Sequence, residues 1–400
     1  MPAAVLPGAA ATSTGAVMAE PAAPLVMHVI HHLLTGGMEN GLVNLINRMP
    51  GSAYRHVVVC AEDFSDFRQR IVPNDVDVIA LHRSRIGVWR LRREVYRLCR
   101  QLRPAIVHTR NLSGLDALLP ARLAGVPRTV HSEHGWDVDN LRGEHWKPRL
   151  LRRLHSPLVD RYITVSKDLQ RHLVDGVGIA AARISPICNG VDTARFAPGT
   201  DTPRAALPAS FRGEALVLIG TVGRVQPVKD QATLLRAFAS MLIQHPALRA
   251  TARLVVAGDG PLLADLRALA TALGIAPLTW FAGNVTDIPG LMRALHVFVL
   301  PSLNEGISNT ILEAMSSQLP VIASAVGGNA ELVSEGAGGA LFQAGDSDAL
   351  AAWLSRYVVD ADLRHAQGRI ARQRALDQHS LDSMVEAYRR VYDRLLSSTG

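Results

Sequence analysis

From Leu25 onward the chain alternates short apolar runs with longer stretches in which apolar residues recur every three or four positions. The runs Leu25 to Ile30, His56 to Cys60, Val76 to Ala80, Ala105 to His108, Arg128 to His131 and Tyr162 to Val165 are too short for buried helices. They read as strands covered on both faces. The stretches between them read as crossover helices, with Leu42, Val43, Leu45 and Ile46 forming one such stripe. Gly199 to Pro208, rich in Pro, Thr and Ala, reads as a linker, and a second series follows: Ala215 to Val222, Arg253 to Ala257, Leu278 to Phe281, Val297 to Leu300 and Val321 to Ala323. The expected architecture is α/β, with two doubly wound, Rossmann-like domains over residues 25–198 and 199–380. A last helix, about Leu381 to Leu396 within 381–400, is placed to brace the pair. Open parallel sheets bind ligands at the carboxyl ends of their strands, so two such domains facing one another would enclose a cleft.

Composition narrows the class. With 48% hydrophobic and 19% charged residues over 400 positions, the chain is globular. No apolar run approaches the roughly 18 residues that span a bilayer. Residues 1–24 contain no Lys or Arg, lack the basic start of a secretory signal and read as a disordered leader, with Met18 or Met27 as alternative starts. Cys60, Cys99 and Cys188 are widely spaced, which speaks against disulfides and a zinc site and suits a reducing cytoplasm.

Charge is lopsided: residues 1–200 hold 25 Lys and Arg against 17 Asp and Glu, net +8, whereas residues 201–400 are at −1. The first half therefore faces something anionic. Between Arg83 and Arg103 lie eight arginines and one acid, Glu94, while Val88, Leu91, Val95, Leu98 and Leu102 recur at helical spacing. Two readings stay open for this basic amphipathic helix. It packs on a sheet and shows a solvated basic face, or it meets an anionic membrane surface with Trp89 and Tyr96 near the headgroups. Nucleic acid is disfavoured because no aromatic platform accompanies the charge. Arg142 to Arg153, with Trp146, is open to the same two readings.

Four segments carry candidate chemistry. Pro301 to Met315 sets Glu305 and Glu313 eight positions apart across a strand-to-helix junction, with Asn309 or Thr310 opening the helix and Glu313 in its first turn. Glu305 can meet hydroxyls while the amides of Ser308, Asn309 and Thr310 meet a phosphate. Alternatively, Thr310-x-x-Glu313 is a capping box. After the strand ending at Val222, Arg224 and Lys229 bring cations to a position suited to a pyrophosphate. Asp75-x-Asp77 and Asp137-x-Asp139 lack a strand-end setting, so side-chain cations rather than a metal are expected to neutralise an anionic ligand here. Thr35-Gly36-Gly37-Met38-Glu39 offers close backbone approach after the first strand, without the dinucleotide glycine pattern. Eleven of fifteen histidines fall in the first half, densest at His131 and His134.

The phrase from Pro301 to Met315 is similar to the Glu-x7-Glu signature of the retaining glycosyltransferases of family 4, also called glycosyl transferases group 1. The resemblance runs from Leu25 to Leu396, firmest in the second half. It implies a GT-B fold, with residues 25–198 as the acceptor domain, 199–380 as the nucleotide-sugar domain and the final helix crossing back to the first. Arg224 and Lys229 inherit the role of holding the diphosphate. Gly36 and Gly37 would lie near donor phosphates and acceptor, with Glu39 a looser candidate. His134, then His131, matches the strand-end histidine that reaches the donor sugar, and His108 matches a further family position that also suits a structural role. The backbone around Val285 would lie by the base. The donor contacts would be Glu305, Gly306, Ile307, Ser308, Asn309, Thr310 and Glu313. Ile307 stands where an aromatic residue is common, and Ser317-Gln318 replaces the usual small residue and glycine.

The implied reaction is retaining, metal-independent hexosyl transfer from a UDP- or GDP-linked sugar to a glycan or lipid-linked acceptor. No cofactor is expected. The wording of the chain looks most like the branch from PEP-CTERM/exosortase exopolysaccharide loci, which suits a cytoplasmic enzyme peripheral to the inner membrane. A sugar-nucleotide 2-epimerase of the same fold and a catalytically silent glycan-binding scaffold are the alternatives.

Overall fold

The computed structural model describes residues 22–135, 145–199 and 207–398. Most of the predicted leader and linker, Asp137-x-Asp139 and the start of the second basic segment lie outside the described residues. Seven strands, β1 (Leu25–Ile30), β2 (Arg55–Cys60), β3 (Asp77–Ala80), β4 (Ile106–Arg110), β5 (Arg128–Glu133), β6 (Arg161–Thr164) and β7 (Ile184–Pro186), form one sheet in the order β3-β2-β1-β4-β5-β6-β7. Six more, β8 (Val217–Val222), β9 (Ala252–Ala257), β10 (Thr279–Gly283), β11 (Val297–Leu300), β12 (Val321–Ser324) and β13 (Gly339–Phe342), form a second in the order β10-β9-β8-β11-β12-β13. Every pairing is parallel. Two Rossmann-like domains of the GT-B kind result.

Sequence and structure differ at the margins. β7 and β13 escape the apolar pattern because one is three residues ending in Pro186 and the other opens on Gly339. The strand expected over Val297 to Leu300 forms with those bounds, and Leu295 before it ends the short helix Ile288–Ala294. The basic helix runs Arg83–Leu102, but Gly87 at φ +75° breaks it after the first turn.

Strand order reverses between β1 and β4 in the first sheet and between β8 and β11 in the second. Chains leave such neighbours in opposite directions, which opens a crevice at the carboxyl ends. The two strongest candidate loops grow from these positions. β8, β11 and β12 are buried along their whole length, fixing the crevice walls.

The closing helix, Leu381–Ser397, does not pack on the sheet that precedes it. Met384, Val385, Tyr388, Val391 and Tyr392 pack on Val26, Ile106, Val130 and Ile163 of the first sheet. Its entry is fixed by Leu381 N donating to Val191 O at 3.1 Å and by Val191 N donating to His379 O at 2.8 Å. Tyr392 hydroxyl meets His108 Nδ1 at 2.7 Å, and Tyr54 hydroxyl donates to Asp393 at 2.6 Å.

Candidate active site

The loops after β8 and β11 meet. Lys229, in the turn Pro227–Lys229, points its ammonium at Glu305, donating from Nζ to Oε1 at 2.5 Å. The two side chains are 24% and 11% exposed, so the pair is largely shielded from water. Ser302 Oγ donates to the same carboxylate oxygen at 2.7 Å, and Leu303 N donates to Val228 O at 2.8 Å, joining the loops. Gly327 sits beneath Glu305 with φ +48°, where an ideal Cβ would come 1.8 Å from the Glu305 carbonyl oxygen. Any side chain there would push the Glu305 loop out of place.

Arg224 is exposed on the cleft side, and its charge is felt by Glu39 of the first domain. The helix Gly37–Arg48 begins at Gly36 with no side-chain cap. Glu39 curls back over that start, its Oε2 2.1 Å from where a Cβ on Gly36 would lie. Burial raises the Glu39 pKa, opposed by its own backbone N–H and by Arg224, His32 and Arg110. A carboxylate thus stands at the helix N-terminus, the place where an anion is favoured.

The domains touch through the Glu305 loop. Gly306 approaches so closely that an ideal Cβ would be 2.6 Å from His134 O and 2.8 Å from Gly135 Cα. Asn309 Nδ2 donates to Gly37 O at 3.2 Å, and Asn309 Oδ1 accepts from Asn189 Nδ2 at 2.8 Å. Ile307 is buried in an apolar cluster that draws on both domains, with Val165, Leu169, Val191 and Phe196 from the first, and Ser308 and Thr310 hydroxyls lie 3.1 Å apart. Val285 follows β10, separated from β8 by β9, and packs into the same apolar cluster. It lies on the same sheet edge but apart from the Lys229–Glu305 pair.

Glu313 corrects one reading. The helix Asn309–Ser316 is capped by Ser308, whose Oγ accepts from Ile311 N at 3.3 Å, so Thr310-x-x-Glu313 is no capping box. Glu313 falls in the second turn rather than the first. Burial pushes its carboxyl up to about 7, while Arg195 and Arg70, both from the first domain, pull the other way.

The histidines divide by partner. His108 is spent on Tyr392 and Ser132 under the last helix, and His131 on Thr109 Oγ1 at 2.8 Å and Glu133 at 3.3 Å. His28 Nε2 and His56 Nδ1 lie 3.0 Å apart, and Arg110 Nη1 donates to His28 Nδ1 at 3.1 Å. That donor fixes the proton of His28 on Nε2, so His56 Nδ1 accepts. Much of the histidine enrichment is therefore internal wiring. His134 differs, since neither ring nitrogen has a partner among the described residues. Burial, helped by Arg110, lowers its pKa to about 3, leaving a neutral imidazole beside the Gly306 junction.

Residues that the sequence reading missed cluster here too. Arg110 is buried at the end of β4 with its Nε unpartnered, and Arg70 and Arg195 face Glu313. Glu331 reaches across to the other domain, accepting from Lys167 N at 3.0 Å and Asp168 N at 3.1 Å. Arg110 at the end of the fourth apolar run carried a signal, a charge closing a buried strand. The others gave none, being ordinary surface charges until the chain folds.

Two parallel sheets, each flanked by helices in a Rossmann-like domain with its own crevice at the strand ends, are the architecture of the GT-B glycosyltransferases. The family model described as Glycosyltransferase Family 4 matches residues 35–195, and that described as Glycosyl transferases group 1 matches residues 217–360. The chain belongs to this family and is a glycosyltransferase. It is 30% identical over 304 residues to the Escherichia coli UDP-Gal:alpha-D-GlcNAc-diphosphoundecaprenol alpha-1,3-galactosyltransferase, covering 74% of this chain and 77% of that one. It is 34% identical over 211 residues to the lipopolysaccharide core biosynthesis mannosyltransferase LpcC of Rhizobium leguminosarum, covering 52% and 59%. Among solved structures, Anabaena HepE in complex with UDP superimposes with a TM-score of 0.77 at 21% identity, covering 93% of this chain and 99% of that one.

Proposed function

We propose that the chain moves a hexosyl group, with retention of anomeric configuration, from a nucleotide-diphosphate sugar to a lipid-linked glycan at the inner membrane face during exopolysaccharide or other cell-surface glycan assembly. The Lys229–Glu305 pair at the β8/β11 crevice carries this reading. Glu305 binds hydroxyls of the sugar, and Lys229 and Arg224 neutralise the departing diphosphate, with the amides of Ser308, Asn309 and Thr310 and the Gly36–Gly37 start adding fixed dipoles. Glu313 binds the ribose hydroxyls, the Gly283 to Val285 backbone flanks the base, and His134 reaches the sugar from the acceptor side.

Retention follows if the leaving phosphate oxygen takes the acceptor's proton on the face it departs from. A covalent double displacement asks for two carboxylates about 5 to 5.5 Å apart flanking one sugar. Glu305 is held by Lys229 and Ser302 and Glu313 faces Arg195 and Arg70, so their surroundings are unlike such a pair. With side-chain cations at the diphosphate, the step needs no metal. The similarity to an undecaprenol-linked galactosyltransferase supports the acceptor class, and the UDP complex of HepE supports a UDP-linked donor.

Thermal-shift screening against UDP-, GDP- and ADP-sugars identifies the donor, since a binder raises the melting temperature with its occupancy. Incubation of that donor with a lipid-diphosphate glycan, followed by anomeric analysis of the product, tests transfer and retention. An inverted linkage would overturn the mechanism, and epimerised donor without acceptor would establish the isomerase instead.

A further inference from the structure

The outer helical layer of the first domain has one side that no element among the described residues covers. The Arg83–Leu102 helix packs on Met27, Val57 and Val107, the face opposite the closing helix. The Trp146–His155 helix lies on that same face. Its buried Arg152 reaches Glu133 through Nε at 2.6 Å, and Glu133 shares a face of β5 with His131, which meets Thr109, on the same face of β4 as Val107. Each helix starts after a strand's carboxyl end, so their first turns share the edge of the sheet that faces the cleft. The short helix Leu118–Leu123 packs between them against the first.

This layer shows large apolar side chains to solvent. Trp89 is 81% exposed, Trp146 65% and Leu154 66%, joined by Leu123 and Leu150. Basic groups interleave them. Arg85, Arg90, Arg93, Arg100 and Arg153 have no ion-pair partner among the described residues, whereas Arg83 and Arg92 share Asp116 and Arg97 takes Glu94. Beside the edge strand β3, Ile79, Leu81, Ile86 and Leu98 floor a groove of about 400 Å³ rimmed by Arg90, Arg93 and the Arg97–Glu94 ion pair, a rim that is net cationic. An apolar floor with a cationic rim matches one kind of partner, an amphiphile with an acyl chain and an anionic head.

We infer that this layer, with Trp89 and Trp146 as its inserting residues and Arg85, Arg90, Arg93 and Arg153 as its headgroup contacts, is the face that docks on an anionic lipid bilayer. Trp146 opens its helix at the cleft edge and Trp89 follows the Gly87 break one turn in from that edge, so docking brings the acceptor half of the cleft toward the headgroups, where a lipid-linked glycan is presented. This deepens the membrane placement in the proposed function. The test uses no sugar, so it succeeds or fails separately from the transfer chemistry.

The purified full chain is sedimented with vesicles of phosphatidylcholine alone or with about one-third phosphatidylglycerol. Binding is expected only with the anionic lipid and should fall as salt is raised. At about 1 kcal/mol per basic residue near an anionic surface, each arginine removed weakens partitioning roughly fivefold, so Arg90→Gln with Arg93→Gln should cost about 25-fold. Trp89→Phe with Trp146→Phe should remove most of the fluorescence quenching that brominated lipids cause in the parent protein, at unchanged melting temperature. Parent protein that stays in the supernatant with anionic vesicles overturns the inference, as does binding insensitive to both substitution pairs. Loss of single-stranded RNA binding in the arginine variant, with no vesicle binding by the parent, would reassign the face to nucleic acid and overturn it equally.

Discussion

Replacing Lys229 by Ala separates what the Lys229–Glu305 pair does for the fold from what it does for the reaction. The ammonium and the carboxylate stand at 2.5 Å with little water around them, so a gross attraction of about 7 kcal/mol at an effective dielectric near 20 is opposed by the desolvation of both. Deleting the lysine leaves the Glu305 carboxylate with only the Ser302 hydroxyl among the described residues. The expected loss of stability is about 1 to 3 kcal/mol, the cost of a shielded group left unpaired. For a domain of this size that lowers the melting temperature by roughly 2 to 12 °C.

Adding Glu305→Gln to Lys229→Ala should restore much of that stability, because no unpaired charge remains. Turnover behaves differently. If Lys229 stabilises the leaving diphosphate, Lys229→Ala should lower kcat about 10²-fold or more, measured as nucleotide diphosphate released, and the double variant should recover none of it. Turnover of Lys229→Ala within about threefold of the parent, at a temperature where both are folded, would refute the assignment of the cation to the diphosphate.

Further outcomes follow from single observations. Glu313 holds its proton to about pH 7 in the fold against 4.5 in the unfolded chain, so its neutral form stabilises fully below pH 4.5 and this contribution is lost as pH rises through 7. Denaturant titrations should show parent and Glu313→Gln diverging over that window by roughly 3 kcal/mol, with Gln the more stable above it; a pH-independent difference would deny the raised pKa. If ionised Glu313 accepts from the ribose, nucleotide binding near pH 7 should release a proton, seen calorimetrically in buffers of different ionisation heat, and Glu313→Gln should abolish the release. Gly306→Ala would drive a Cβ into the His134 backbone, and should lower kcat/KM by at least tenfold while inorganic pyrophosphate still binds; unchanged kcat/KM would show that the domains need not meet there. His134→Ala removes a ring whose nitrogens make no hydrogen bond among the described residues, so activity should fall about 10²-fold with little change in melting temperature.

Much of this protein is determined locally and was legible in the chain. Strands buried on both faces must be apolar throughout, which is why β1, β8 and β11 announced themselves, while Pro-ended β7 and Gly-led β13 did not. The loops carrying Gly36, Arg224 and Glu305 were legible because ligand loops follow strand ends in sequence as well as in space. What only tertiary structure decided is partnership across long separations. Lys229 and Glu305 are 76 positions apart, His108 and Tyr392 are 284, and no local pattern records which charge finds which. The same holds for Ser308 taking the cap from the Thr310–Glu313 pattern, and for Arg70 and Arg195 arriving at Glu313 from another domain. Hydrophobic periodicity is a property of neighbours along the chain and fixes elements. Electrostatic pairing depends on distance and burial, and these exist only once the sheets have closed on their helices.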